Sequence, residues 1–155
     1  MERLSNGVSV CIGVDIGGTD VKLGVVRGRQ VLVRRSFPTA LISSGAKALE
    51  EGIVAAVRSL QGSFRGKVES VGVGVPGRVL YPRGVVQTCA NVKAWKNVPL
   101  QSRLRRRLGV PVRVDNDVHA MALAEWRYGA GRGVRNLVCV TLGTGVGGGF
   151  ILNGK

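Results

Sequence analysis

Residues 11–26 read CIGVDIGGTDVKLGVV: an apolar arm, a break at Asp15-Ile16-Gly17-Gly18-Thr19, and a second apolar arm. Adjacent glycines accept backbone angles that other residues avoid, so the stretch makes at least a strand–turn–strand hairpin. The pattern returns near the other end. NLVCVTLGTGVGGGFILNGK, residues 136–155, again sets an apolar strand, a glycine turn carrying a threonine, and an apolar strand. Cys11 and Cys139 precede the first residue of their turns by the same interval. An echo of this length predicts a duplicated domain, and the chain stops at Lys155, just after the second strand of the second copy. The expected organisation is a first domain over residues 1–136 and the truncated start of a second over 137–155.

Between the echoes the hydrophobic period changes several times. Residues 8–14, 21–26 and 30–37 read as short strands joined by glycine turns, an antiparallel meander. In SSGAKALEEGIVAAVRSL, residues 43–60, Ala46, Leu49, Ile53, Val54, Val57 and Leu60 share one helical face, with Ser43 or Ser44 as N-cap. The β-rich run KVESVGVGVPG follows and ends at Pro76-Gly77. A helix over 100–108, the strand VPVRVDN and the helix DVHAMALAEWRYG, closed by Gly129, complete the series. The order βββαβαβα predicts an α/β fold, a mixed sheet with helices.

The 155 residues are 45% apolar and 21% charged, a globular balance with enough length for one core. With 5% aromatics and 24 glycines, that core must be built from Val, Leu, Ile and Ala. A net charge of +14 and a pI near 11.2 favour polyanionic partners. The densest basic run is SRLRRRLG, where Leu100, Leu104 and Leu108 recur at helical spacing between Arg103, Arg105, Arg106 and Arg107. It reads as a solvated helix face over a leucine stripe, with a nucleic-acid footprint as the minor reading. The three cysteines form no CxxC pair and no metal spacing, which fits a reducing cytoplasm. No apolar run reaches signal-peptide or membrane-span length, so a soluble, unexported protein is expected.

Two glycine turns, one per domain, would face each other across a cleft and offer backbone N–H groups to phosphates. Neither turn matches GxxxxGK[ST], and the formal GxGxxG in LGTGVGGG leads into a strand instead of a helix. In VDNDVHA, Asp115, Asn116 and Asp117 stand where a strand hands over to a helix, a position that also suits simple capping. Only nine acidic residues exist, and Asp15, Asp115 and Asp117 all occupy strand ends, where open α/β sheets bind ligands.

DIGGT, VGVGVPG, CANVKAW, VDNDVHAMALAEWRYGAG and VTLGTGVGGGFILNGK, in this order, resemble the ROK family of bacterial and archaeal sugar kinases and sugar-sensing repressors. The resemblance implies the actin-like, ribonuclease-H-type ATPase fold, with two domains closing over ATP and a hexose. It puts Asp15, Gly17, Gly18 and Thr19 in the first phosphate turn and Gly143, Thr144 and Gly145 in the second. Asp15 would face Mg²⁺ through water, and Lys22 would lie near phosphate or be a solvated strand residue. Asn91 and Asn116 match positions that hydrogen-bond sugar hydroxyls, and Asp117 matches the catalytic base. Asp20 stands where Asn, Lys or Ser is frequent, and a carboxylate there suits phosphate only if it points away. His119, where Asn is common, reads as a packing or hydrogen-bonding residue.

The activity implied is that of a cytoplasmic, glucokinase-like hexose kinase forming a sugar 6-phosphate, homodimeric when full length. N-acetylmannosamine or N-acetylglucosamine kinase and sugar-responsive repressor are the alternatives. A repressor carries a helix-turn-helix domain before the first turn, and the fourteen residues ahead of Asp15 leave no room for one. The family's Gly-His pair, its cysteine cluster for structural zinc and its adenine pocket would all lie beyond these residues. The chain alone is therefore expected to be inactive.

Overall fold

Alternation of apolar with small or polar residues builds the central sheet. The computed structural model describes residues 9–39, 46–63, 66–90, 92–142 and 145–155. β1 (Ser9–Ile16), β2 (Asp20–Arg27) and β3 (Gln30–Pro38) form the expected antiparallel meander. β4 (Lys67–Val75) pairs parallel with β1, and β8 (Val112–Asn116) pairs parallel with β4. The resulting five-stranded sheet has the order β3-β2-β1-β4-β8.

Alternate residues of β1, β2 and much of β4 enter one core, whereas β3 buries no residue fully. Val10, Ile12, Val14 and Ile16 of β1, Val21, Leu23 and Val25 of β2, and Val71, Val73 and Val75 of β4 are all buried. Helices α1 (Ala46–Gly62) and α2 (Leu100–Leu108) pack on them through Leu49, Ile53, Val54, Val57, Leu60, Leu100 and Leu104. Each such side chain stabilises the fold by about 1.5–3 kcal/mol when fully withdrawn from water. The apolar face of α1 is thus the expected one. The Ser43 or Ser44 cap and the Ala46 side chain fall outside the described residues.

The predicted order lacks three strands. β5 (Gly77–Leu80), β6 (Val85–Cys89) and β7 (Lys96–Val98) form a second antiparallel sheet between β4 and α2. They are short, Pro82 and Gly84 interrupt their sequence, and they are held by burial of Val86, Val98 and the fully buried Trp95. Local periodicity is too weak in runs of this length to mark them. The helix α3 (Asp117–Tyr128) follows β8 directly, and β9 (Leu137–Leu142) pairs with β10 (Val146–Ile151) in a separate two-stranded ribbon. Both glycine-turn hairpins are therefore present as antiparallel pairs.

The ribbon rests on α3. A Cβ on Gly149 would lie 2.6 Å from the Ala122 Cβ, and one on Gly147 would lie 2.6 Å from Val118 Cγ2, so both glycines allow the close approach. The opposite side of the ribbon carries Val138, Val140, Leu142, Val146 and Phe150, all exposed. Among the described residues no helix is long and apolar enough to cross a membrane.

Candidate active site

Because β1, β4 and β8 run parallel, their carboxyl ends emerge together. Asp15 lies opposite Gly74, and Gly74 opposite Asp115, with Val75 opposite Asn116. This edge is where open α/β sheets take ligands.

The first glycine turn closes it on one side. The Gly17 N–H donates to the Asp20 carbonyl at 2.9 Å, and a Cβ on Gly17 would stand 2.6 Å from that oxygen. Thr39, buried just after β3, donates its N–H to the Thr19 carbonyl at 2.8 Å and its hydroxyl to the Gly17 carbonyl at 2.9 Å. With the carbonyls occupied, the N–H groups of Gly18 and Thr19 meet no acceptor among the described residues. Free, closely spaced backbone donors of this kind suit an anion. Asp20 contributes its backbone to the turn, and its residue is half-buried.

On the other side, Asn116 organises the start of α3. Its Oδ1 accepts from the N–H groups of Val118 at 2.9 Å and His119 at 3.1 Å, which is an N-cap. Its amide nitrogen donates to Gly77 O at 3.1 Å, Val75 O at 3.4 Å and Asp117 Oδ1 at 2.9 Å. Both donors and both lone pairs of the Asn116 amide are therefore engaged by the protein. Asp117 Oδ1 also accepts from Val118 N–H at 2.9 Å, whereas Oδ2 has no partner among the described residues. Gly74 makes room for this residue, since a Cβ there would lie 3.3 Å from the Asp117 Cα.

Electrostatics link the two sides. Partial burial and then the Asp117 carboxylate push the Asp15 carboxyl above its ordinary value, although much of the residue remains exposed; Lys22, its register partner on β2, pulls it down. Asp115 Oδ1 accepts the Asn116 N–H at 2.7 Å and stands 3.5 Å from His119 Nδ1, one helical turn on. The His119 side chain is mostly exposed, and its contact to Asp115 is the one side-chain contact it has among the described residues.

The structure brings Asp15, Gly17, Gly18, Thr19, Lys22, Asn116 and Asp117 to this one edge. Asn91, Gly143 and Thr144 lie outside the described residues, and Gly145 is exposed ahead of β10. Thr39, Gly74 and Gly77 escaped the sequence reading as supports of the site. Gly74 and Gly77 sit in the quoted VGVGVPG, where glycines inside a strand pattern signal close backbone approach.

Comparison with known proteins identifies the family of this chain. Residues 11–155 match the ROK family. The glucokinase of Streptomyces coelicolor is 37% identical over 149 residues, covering 96% of this chain and 45% of that protein. A ROK family glucokinase from Streptomyces griseus, solved with glucose and AMPPNP, superposes with a TM-score of 0.83 at 38% identity, covering 94% of this chain and 45% of that one. The inorganic polyphosphate/ATP-glucomannokinase of Arthrobacter sp. strain KM gives a TM-score of 0.83 at 39% identity, covering 96% and 60%. The chain spans less than half the length of the two glucokinases. Its mixed sheet has the actin-like ATPase fold of these neighbours. By the match over residues 11–155, the chain belongs to the ROK family.

Proposed function

We propose that this chain supplies the sugar-side half of an ATP-dependent hexose kinase, glucokinase-like in acceptor, and that Asp117 is its base. The observation that carries the reading is the asymmetry of the Asp117 carboxylate. Oδ1 is held by Asn116 Nδ2 and Val118 N–H, and Oδ2 is left for an incoming hydroxyl. A carboxylate fixed by one oxygen and open at the other is prepared to accept a proton without reorganising. In the reaction the sugar O–H proton passes to Oδ2 and the sugar oxygen forms a bond to the γ-phosphorus. The bond from that phosphorus to the β–γ bridging oxygen breaks, and ADP leaves. The likeness to the Streptomyces griseus glucokinase solved with glucose and AMPPNP supports this assignment of sugar and nucleotide.

The turn at Gly17–Thr19 contributes the unpaired N–H groups of Gly18 and Thr19 to the phosphates, together with the Lys22 charge. Among the described residues no three His, Cys, Asp or Glu side chains gather into a metal cage. Mg²⁺ that rides on a nucleotide is usually bound by one or two carboxylates, waters and substrate phosphates. Asp15, whose carboxyl already feels the Asp117 charge, is the residue to hold it, and the ion would offset charge on the phosphates. The engaged amide of Asn116 favours a positioning role beside any contact to sugar.

Residues 137–155 are proposed to open the second domain. The turn between β9 and β10 has the same length as the one between β1 and β2, and the outer apolar face of this ribbon calls for a covering layer. The test is ADP release by the complete protein with glucose, mannose, fructose and N-acetylmannosamine. Asp117→Asn should lower kcat by about 10²–10⁴-fold with KM for ATP little changed. Unchanged turnover would remove Asp117 from the mechanism.

A further inference from the structure

All four aspartates of the chain, Asp15, Asp20, Asp115 and Asp117, stand at the carboxyl edge of the sheet. The basic helix α2 ends at the opposite edge. It leads through Gly109, Val110 and Pro111 into the start of β8, and Pro111 O accepts the Val71 N–H at 2.9 Å. Between Ser102, Arg105, Arg106, Gly109, Val110 and Pro111 runs an open groove of about 410 Å³. Along β8, roughly 13 Å of strand separates it from Asn116.

Helix-end charge complementarity accounts for only part of this cluster. The last turn of α2 carries Arg105, Arg106 and Arg107. Arg58 of α1 reaches the same end and donates to the Arg107 carbonyl at 2.9 Å, while Gly109 N–H donates to the Arg105 carbonyl at 3.0 Å. Those contacts already serve the carbonyl end of the helix. The nearby acid, Glu50, is buried and bound at 2.8 Å to Arg103. Among the described residues, Arg58, Arg105, Arg106 and Arg107 have no carboxylate within ion-pair distance. Guanidinium groups kept together without a counter-charge form a fork array suited to phosphate oxygens.

We infer that the α2 groove, with Arg105 and Arg106 at its centre, is a docking surface for a linear phosphate chain, separate from the strand-end site. Two features favour a phosphate chain over nucleic acid. Among the described residues that line the groove none carries an aromatic ring on which a base could stack, and the aromatic of the other basic cleft, Trp126, is covered by Arg127 at 4.5 Å and donates to Val134 O at 2.8 Å. A membrane surface is disfavoured because Leu100 and Leu104 of α2 are buried and Leu108 and Val110 pack partly against the same core, so among the described residues no fully exposed large apolar side chain stands beside the arginines.

The test reads binding alone and does not depend on the kinase assignment. Anisotropy of end-labelled inorganic polyphosphate is measured against wild type, R105Q/R106Q and R34Q/R35Q, the last removing two exposed arginines from β3. R105Q/R106Q should weaken binding about tenfold or more and flatten the salt slope by about 1–2, and R34Q/R35Q should change it less than about twofold. Equal losses in the two double variants would reduce the effect to overall charge and overturn the inference. Tighter binding of a single-stranded oligonucleotide of equal charge, lost in R105Q/R106Q, would also overturn it, by assigning the groove to nucleic acid. Thermal melting of both variants within a few degrees of wild type keeps a loss of binding from being a loss of fold.

Discussion

The hairpins β1–β2 and β9–β10 share one plan, yet their surroundings differ sharply. In both, three residues that include glycine and threonine separate two apolar strands in the sequence. In the first, Ile12 and Val14 are buried under two helices and β4 extends the sheet. In the second, one face meets α3 through Gly147 and Gly149, and the other leaves Leu142 82% and Val146 80% exposed. The same local code thus yields a core element in one place and a half-covered ribbon in the other. A strand pattern specifies which residues share a face, and the neighbouring layer decides whether that face leaves water.

The largest effect should come from equivalent truncations on the two hairpins. Ile12→Ala is expected to destabilise by about 2–5 kcal/mol in urea unfolding, and Leu142→Ala by less than about 0.5 kcal/mol. Measured on residues 1–155, a cost for Leu142→Ala approaching that of Ile12→Ala would mean that the outer ribbon face is covered within this chain, and the contrast would fail; in the complete protein the proposed covering layer would raise that cost.

Next is the α3 contact. Gly149→Val would press on Ala122 Cβ and the Val118 carbonyl, an overpacking cost of roughly 1–3 kcal/mol. Hydrogen exchange should accelerate at the amides of β9 and β10 while those of β1 and β4 keep their protection. Equal acceleration in both hairpins would show them to be one cooperative unit.

The smallest effect concerns Asp15 in metal-free protein. Its carboxyl is raised above its ordinary 3.8, by burial first and the Asp117 charge second, so the native state holds the proton more tightly than the unfolded chain. Stability attributable to this group is highest below the unfolded value and declines as pH rises through the folded one. Asp15→Asn removes that decline. Because the residue is partly exposed, the variant should melt roughly 1–3 °C above wild type at neutral pH, with the gain vanishing below the ordinary value. A lower melting temperature at neutral pH would show that Asp15 is held by favourable contacts, and the strain between the two carboxylates would be refuted.

The sequence by itself determined the elements whose cause is local. The meander, the apolar face of α1, the leucine stripe of α2 and a capping place within Asp115-Asn116-Asp117 follow from period, glycine turns and residue type within a few positions, and the structure gives the cap to Asn116. Only the tertiary structure decided the rest, because the causes are distant in sequence. β5, β6 and β7 exist through burial of Trp95 and its neighbours, and Thr39 grips a turn 22 residues away. The gap at Gly74 admits Asp117, and Asn116 ties that residue to the Gly77 carbonyl 39 positions back. Such contacts form only when the sheet brings separate strand ends together, so no window of residues along the chain displays them.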